Sequence, residues 1–91
     1  MEILIQTSDS LLSFDGRVLE AFNYASFHNW RFHIRQINSI ALAPPDKHGK
    51  QMLSINTQVN GGFMFHKEVA PNQIGEAQKL VAAVMEALHS P

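Results

Sequence analysis

The chain has 91 residues, no cysteine and a formal net charge of −1 at pH 7. Its 45% hydrophobic and 16% charged content is typical of a soluble globular protein, and one domain over residues 1–91 is expected. The absence of cysteine excludes disulfide frameworks, thiolate nucleophiles and zinc–thiolate sites. No apolar run approaches the roughly 20 residues of a membrane span. The first six residues lack the basic start of a secretory signal, so a cytoplasmic location is expected.

The first third of the chain predicts short strands. A strand over residues 2–7 is followed by strands over 11–14 and 17–22. Between the last two lies Asp15-Gly16, a dipeptide that suits a tight two-residue hairpin because glycine adopts positive φ readily. Residues 17–26 also satisfy helical spacing, so a short helix is the alternative interpretation of that segment.

The middle of the chain predicts a half-buried strand with a basic outer face. Three apolar residues alternate there with three basic ones, namely Trp30, Phe32 and Ile34 with Arg31, His33 and Arg35. Side chains two positions apart share a strand face, so the three basic groups are expected on one side. The two-residue step fails near Asn38-Ser39, which predicts a bulge or bend.

The last part of the chain predicts a hairpin and then a helix. Strands over 53–59 and 63–69 flank Asn60-Gly61, the best hairpin signal in the sequence. The segment from Asn72 to His89 predicts one amphipathic helix, with Asn72 accepting hydrogen bonds from its first amides. Its apolar stripe consists of Ile74, Ala77, Leu80, Val81, Val84, Met85 and Leu88.

The order of these elements and four stretches of sequence carry a resemblance to a known superfold. The stretches are Ser13-Phe14-Asp15-Gly16-Arg17-Val18, Arg31 to Ile40, Gly49 to Ile55, and Leu80-Val81-Ala82-Ala83-Val84. They resemble the pleckstrin-homology-like (PH-like) domains, including the short bacterial versions. The resemblance implies a mainly β, α+β fold, in which about seven strands form a partly open antiparallel barrel and one C-terminal helix caps it.

The resemblance also implies a function. PH-like domains act mostly as non-catalytic binding or adaptor modules, so a protein partner or self-association is expected. Phosphoinositide-binding members place basic residues around the first strand-to-strand loop, whereas residues 7–10 here contain Asp9 and no base. Phosphoinositide recognition at that loop is therefore not predicted. Apolar residues on both faces of the predicted sheet make a homodimer a further expectation.

The basic residues are concentrated in one part of the sequence. Residues 28–50 contain four Lys and Arg residues and three histidines against Asp46 alone. The alternative function is therefore a small-anion or acidic-lipid sensor, whose affinity for its ligand would increase as imidazoles gain charge in mild acid. Its candidate ligand-binding residues are Arg31, His33, Arg35, Lys47 and Lys50. The competing interpretation is an ordinary solvated strand face that discourages edge pairing. A sequence pI near 6.5 gives no support to nucleic-acid binding.

Motifs for catalysis, cofactors and metals are not found in the sequence. It contains no Gly-x-Ser-x-Gly elbow, phosphate-binding loop or dinucleotide fingerprint, and its histidines lack the helical spacing of a zinc site. Ser13 or Ser54 could pair with His33 or His66 as nucleophile and base, but nothing in the sequence selects a pair. No enzymatic activity, cofactor or metal is therefore predicted. A cryptic hydrolase or metal enzyme is the minor alternative.

Overall fold

The computed structural model describes residues 2–7, 9–24, 29–59, 62 and 64–89. In this part of the chain, seven strands precede one α-helix. The strands are β1 (Ile3–Gln6), β2 (Ser10–Phe14), β3 (Val18–Asn23), β4 (Trp30–His33), β5 (Ile37–Leu42), β6 (Gln51–Thr57) and β7 (Met64–Val69). Two short 3-10 helices cover Ile34–Gln36 and Pro71–Gln73, and the α-helix, α1, covers Ile74–His89.

The strands form two separate antiparallel sheets. The first sheet has the order β1-β2-β3-β4, and the second has the order β5-β6-β7. Helix α1 packs against β1, β5 and the 3-10 helix Ile34–Gln36, so it covers the side where those two edge strands lie. Near the other two edges, the rings of Phe32 on β4 and Phe65 on β7 stack with their centroids 5.7 Å apart. This confirms the predicted mainly β, α+β architecture, a partly open antiparallel barrel with a C-terminal helix.

The two sheets and the helix share one hydrophobic core. Alternation along each strand places one set of side chains inward, as expected for sheets with one buried face. The fully buried apolar side chains come from both sheets and from α1, and include Ile5, Leu12, Leu19, Leu53, Ile55, Leu80 and Val84. The helix therefore completes a core that the sheets alone leave uncovered.

One lysine interrupts the apolar inner face of β7. Lys67 lies between Phe65 and Val69 and is only 9% exposed. Its Nζ donates a hydrogen bond to Asn23 Oδ1 at 2.8 Å and lies 3.3 Å from Asp9 Oδ1. Burying an ammonium group is costly unless it is paired, and these two oxygens supply the pairing. Because Asp9 and Asn23 belong to the first sheet and its β1–β2 loop, the contacts join the two sheets.

The ambiguous segment 17–26 and the predicted hairpin around Asn60-Gly61 both agree with the strand prediction where they are described. Residues 18–23 form β3, so the strand prediction is confirmed there, while 25–28 lie outside the described residues. Gly16 has a φ of 104°, the positive value that its tight turn requires. Strands β6 and β7 pair antiparallel as predicted, although Asn60-Gly61 itself lies outside the described residues.

Strand β4 ends two residues earlier than the alternation predicts. Ile34 and Arg35 lie in the 3-10 helix Ile34–Gln36 instead of the strand. The backbone N–H of Arg35 donates to Nδ1 of His33 at 3.1 Å, and the N–H of His33 donates to Oε1 of Gln36 at 2.9 Å. This reciprocal capping stabilises the 3-10 helix relative to a strand that would continue through Ile34 and Arg35. The prediction that Arg35 shares a strand face with Arg31 is therefore wrong, whereas the bulge is confirmed by a register shift between Ile37 and Ser39.

The helix differs from the sequence prediction at its start and on one flank. Asn72 lies within the 3-10 helix Pro71–Gln73, so it is not the N-cap of α1. Most of the predicted stripe is buried or partly buried against the core. Met85 is the exception and is 40% exposed. It follows the buried Val84 by one position, which places it about 100° further around the helix and outside the core-facing stripe.

We expect Leu80→Ala to lower the free energy of unfolding by about 2–5 kcal/mol, because Leu80 is fully buried and its truncation leaves a cavity. Urea denaturation at neutral pH measures this change. Met85→Ala is the matched control on the same helix, with an expected effect within about 0.5 kcal/mol. Equal losses for the two variants would contradict the assignment of the core-facing stripe.

Candidate functional site

An open cavity of about 1110 Å³ lies beside the C-terminal part of α1, and we call it the helix-end cavity. Four parts of the fold line it: the β2–β3 hairpin, the 3-10 helix Ile34–Gln36 with its flanking residues, β1 and the last turns of α1. Its apolar lining comes from Ile3, Phe14, Ile34, Ile37, Ala83, Ala87 and Leu88, and its charged or titratable groups come from Asp15, Arg17, His33, Arg35 and Glu86. The cavity therefore combines apolar wall with a group of ionisable side chains.

The arginines of this cavity differ from most other cations of the chain. Of the seven Lys and Arg residues, four form ion pairs: Arg31 with Glu20, Lys50 with Glu68, Lys67 with Asp9 and Lys79 with Glu76. Within the described residues, Arg17, Arg35 and Lys47 form none. Two of these three, Arg17 and Arg35, line the helix-end cavity. Neither guanidinium lies within ion-pair distance of a carboxylate in the described part of the chain, although, after the hydrogen bond from Val18, the charge of Arg17 also contributes to the lowered pKa of Asp15.

Backbone pairing between β3 and β4 brings the two arginines to the same place. Val18 is the register partner of His33, and the N–H of Ile34 donates to the carbonyl of Arg17 at 2.6 Å. The β2–β3 hairpin is thereby held against the 3-10 helix Ile34–Gln36. Arg17 and Arg35 are far apart in sequence, but Arg17 is itself one of these paired positions and Arg35 follows Ile34 by one residue.

The imidazole of His33 has one nitrogen committed to the backbone. Its Nδ1 accepts the hydrogen bond from the N–H of Arg35 at 3.1 Å. A neutral imidazole that accepts at Nδ1 carries its proton on Nε2, so the remaining nitrogen is a donor. His33 lines the helix-end cavity, and Nε2 is the donor of its neutral ring.

Two carboxylates accompany these donors. Oδ1 of Asp15 accepts hydrogen bonds from the N–H groups of Val18 and Arg17, both at 2.8 Å. These hydrogen bonds, with Val18 the larger cause, hold the pKa of Asp15 below its ordinary value of 3.8. Asp15 therefore stays ionised at neutral pH, and Glu86 on α1 adds a second carboxylate to the lining. The formal net charge of the lining is zero, because the two arginines balance the two carboxylates.

The five residues predicted from the sequence to bind an anion do not form one site. His33 and Arg35 line the helix-end cavity. Arg31 donates to Oε1 of Glu20 from Nη2 at 2.9 Å and from Nε at 3.2 Å. Lys50 pairs with Glu68 at 3.3 Å and lines a separate cavity of about 290 Å³, while Lys47 lines neither. The structure adds Arg17, for which the only local signal is its position directly after Asp15-Gly16.

The structure also selects one serine–histidine pair. Ser54 on β6 and His66 on β7 are register partners, and Oγ of Ser54 lies 2.8 Å from Nδ1 of His66. A catalytic pair requires a base oriented by a third group and donors for the developing oxyanion. Among the described residues no carboxylate is hydrogen-bonded to His66, and the pair lines neither cavity. The same part of the chain contains no cluster of three or more potential metal-binding side chains.

Comparison with known proteins adds no function to this geometry. No protein-family model matches the chain, and no match is found among curated proteins. No helix in the described ranges is long and apolar enough to cross a membrane. The helix-end cavity is therefore interpreted from its own residues.

We expect Asp15→Ala to lower the urea midpoint at neutral pH, since it removes the acceptor for two backbone N–H groups of the hairpin. The pKa of Asp15 is lower in the folded state than its ordinary value of 3.8, so its contribution is present above that value. The contribution is lost as the pH falls through the folded-state pKa. Urea midpoints measured from neutral pH to below 3.8 should therefore converge for wild type and variant.

Glu2→Ala is the control for loss of one carboxylate, because Glu2 is exposed and lies outside the hairpin. It should leave the midpoint nearly unchanged at neutral pH. A difference between Asp15→Ala and wild type that stayed constant at every pH would contradict the role given to the ionised carboxylate.

Proposed function

We propose that the protein is a non-catalytic PH-like binding module and that its ligand places an anionic group in the helix-end cavity. The order of seven strands and one C-terminal helix supports the PH-like assignment. The convergence of Arg17 and Arg35 on one cavity, with no ion pair to either among the described residues, is the observation that carries the proposed site.

The absence of these ion pairs favours an incoming anion at this site. A guanidinium remains charged at every physiological pH and presents several N–H donors to a carboxylate or phosphate. At Arg31 an external anion would compete with Glu20 for the same donors. At Arg17 and Arg35 no ion-paired carboxylate has to be displaced.

The titratable groups of the cavity support binding better than catalysis. Hydrogen bonds from the backbone lower the pKa of Asp15, and a carboxylate of low pKa is a weak general base at neutral pH. Nδ1 of His33 accepts a backbone hydrogen bond and is not available to take a proton from a substrate without breaking that cap. The proposal therefore includes no cofactor and no metal.

The fluorescent monosulfonate 8-anilinonaphthalene-1-sulfonate is a suitable first probe, since it combines an anionic group with an apolar body. We expect the double variant Arg17→Gln/Arg35→Gln to bind it about tenfold or more weakly, because hydrogen bonds to charged groups contribute about 1.5–3 kcal/mol each. Fluorescence titration measures the dissociation constant. Binding to the wild type should also weaken as salt is added.

Lys47→Gln is the matched control, because it removes one exposed cation that has no described ion pair and does not line the cavity. It should leave probe affinity unchanged. Backbone NMR shifts on titration should concentrate at Arg17, Val18 and Arg35. Unaltered affinity in the double variant, or shifts confined to another face, would refute this site.

Self-association through the outer face of the first sheet is a second candidate function. Leu4, Phe22 and Tyr24 are 51%, 40% and 57% exposed. Leu4 is paired with Ser13, and Phe22 is paired with Leu11, which lies two positions before Ser13 on β2. Leu4 and Phe22 therefore lie close together on the same outer face of the first sheet. The ion pair of Glu20 and Arg31 lies on that face as well, which gives it both signs of charge. Such a face is complementary to a second copy related by a two-fold axis.

If this face forms a homodimer, Leu4→Lys/Phe22→Lys should make the protein monomeric, since it places like charges at the centre of the apolar contact. Sedimentation equilibrium over a range of protein concentrations measures the change. Met52→Lys is the control, because Met52 has the same 40% exposure as Phe22 but belongs to the second sheet. A wild type that stays monomeric at the highest concentration would remove this candidate.

A further inference from the structure

The helix-end cavity restricts the chemistry of its ligand more than the anion site alone does. We propose that the ligand is a single-chain amphiphile with one negative charge, an alkyl carboxylate of the fatty-acid class. This inference rests on the proposed function, because it places the carboxylate at Arg17 and Arg35. It adds that most of the binding comes from an apolar chain that lies along the last turns of α1.

The charges of the cavity favour a ligand with a single negative charge. Arg17 and Arg35 attract an anionic head group, but Asp15 and Glu86 line the same cavity and repel further negative charge. The last turns of α1 are also part of the lining, and the C-terminal end of a helix carries partial negative charge. A polyphosphate or an acidic peptide would bring several charges close to these groups. A carboxylate at the arginines brings only one.

Both cations of the lining come from the β2–β3 hairpin and the 3-10 helix, whereas α1 contributes the partly buried apolar side chains of Ala83, Ala87 and Leu88. Ile3 and Ile37 also line the cavity, but they are only 8% and 2% exposed and add little accessible apolar surface. A ligand with a charged head and an apolar chain matches this arrangement, with its head at the arginines and its chain along α1.

The space beside α1 is sufficient for such a chain. Ala83 and Ala87 are four positions apart, so their small side chains lie on the same face of the helix. The cavity volume of about 1110 Å³ is slightly larger than the roughly 300–1,000 Å³ that is usual for small-molecule sites. An alkyl chain that enters this space exchanges contact with water for contact with aliphatic side chains, which is favourable in proportion to the area buried.

The test is a calorimetric titration of the wild-type protein with hexanoate, octanoate and decanoate below their micelle concentrations. We expect the affinity to rise about fourfold for each methylene that is buried, so it should increase steeply along the series. Decanedioate has the same chain length as decanoate but a second carboxylate at its other end. It should bind more weakly, because its second charge would have to enter the apolar end or remain beside Glu86.

Two variants locate the chain within the cavity. Ala87→Leu should weaken decanoate binding about tenfold, because the added side chain occupies the volume that the alkyl chain needs. Ala83→Leu is the second variant on the same face and should act in the same direction. Leu4→Ala is the control, since Leu4 is an exposed apolar residue of the first sheet outside the cavity. Circular dichroism and urea midpoints establish that each variant is folded.

The outcomes separate this inference from the proposed function. If the sulfonate probe depends on Arg17 and Arg35 but affinity does not rise with carboxylate chain length, the anion site stands and the amphiphile is refuted. Tighter binding of decanedioate or of hexaglutamate than of decanoate would also refute it, in favour of a multiply charged ligand. If binding of the sulfonate probe does not depend on Arg17 and Arg35, both proposals fall.

Discussion

The two sheets of this protein share no strand, so side chains and the C-terminal helix have to hold them together. On one side α1 covers the edge strands β1 and β5, while Phe32 stacks on Phe65 between β4 and β7. The buried ammonium of Lys67 adds a polar contact between the second sheet and Asp9 and Asn23 of the first. The core is consequently assembled from parts that are distant in sequence.

The helix-end cavity lies where α1 packs against the first sheet and the 3-10 helix Ile34–Gln36, beside the C-terminal part of α1. Core residues such as Phe14 and Ile37 therefore form part of its lining. Occupation of the cavity would bury apolar surface that is continuous with the core. Binding and folding are thus thermodynamically linked, since any ligand that binds only the folded state stabilises it.

The sequence was sufficient for the features that depend on short-range pattern. Two-residue alternation predicted the strands, the 3.6-residue period predicted α1, and the break in alternation predicted the bulge near Ser39. The prediction failed at the end of β4, because hydrogen bonds from His33 and Gln36 cap a 3-10 helix there. It also failed at Met85, because this residue lies beside the core-facing stripe of α1 and is exposed. It also could not find Arg17 or pair Ser54 with His66, because those relations depend on which strands are neighbours and in which register. Of the candidate site, only His33 and Arg35 were among the predicted residues.

The side chain of His33 supports the backbone of the site, whereas the side chains of the two arginines do not. The ring of His33 caps the 3-10 helix that carries Arg35, so replacing it disturbs the backbone as well as the lining of the cavity. A loss of binding in such a variant would not separate recognition from folding. The guanidinium groups of Arg17 and Arg35, in contrast, form no ion pair within the described part of the chain. The cavity can therefore be given a new ligand preference by exchanging two side chains while the frame that carries them is left unchanged.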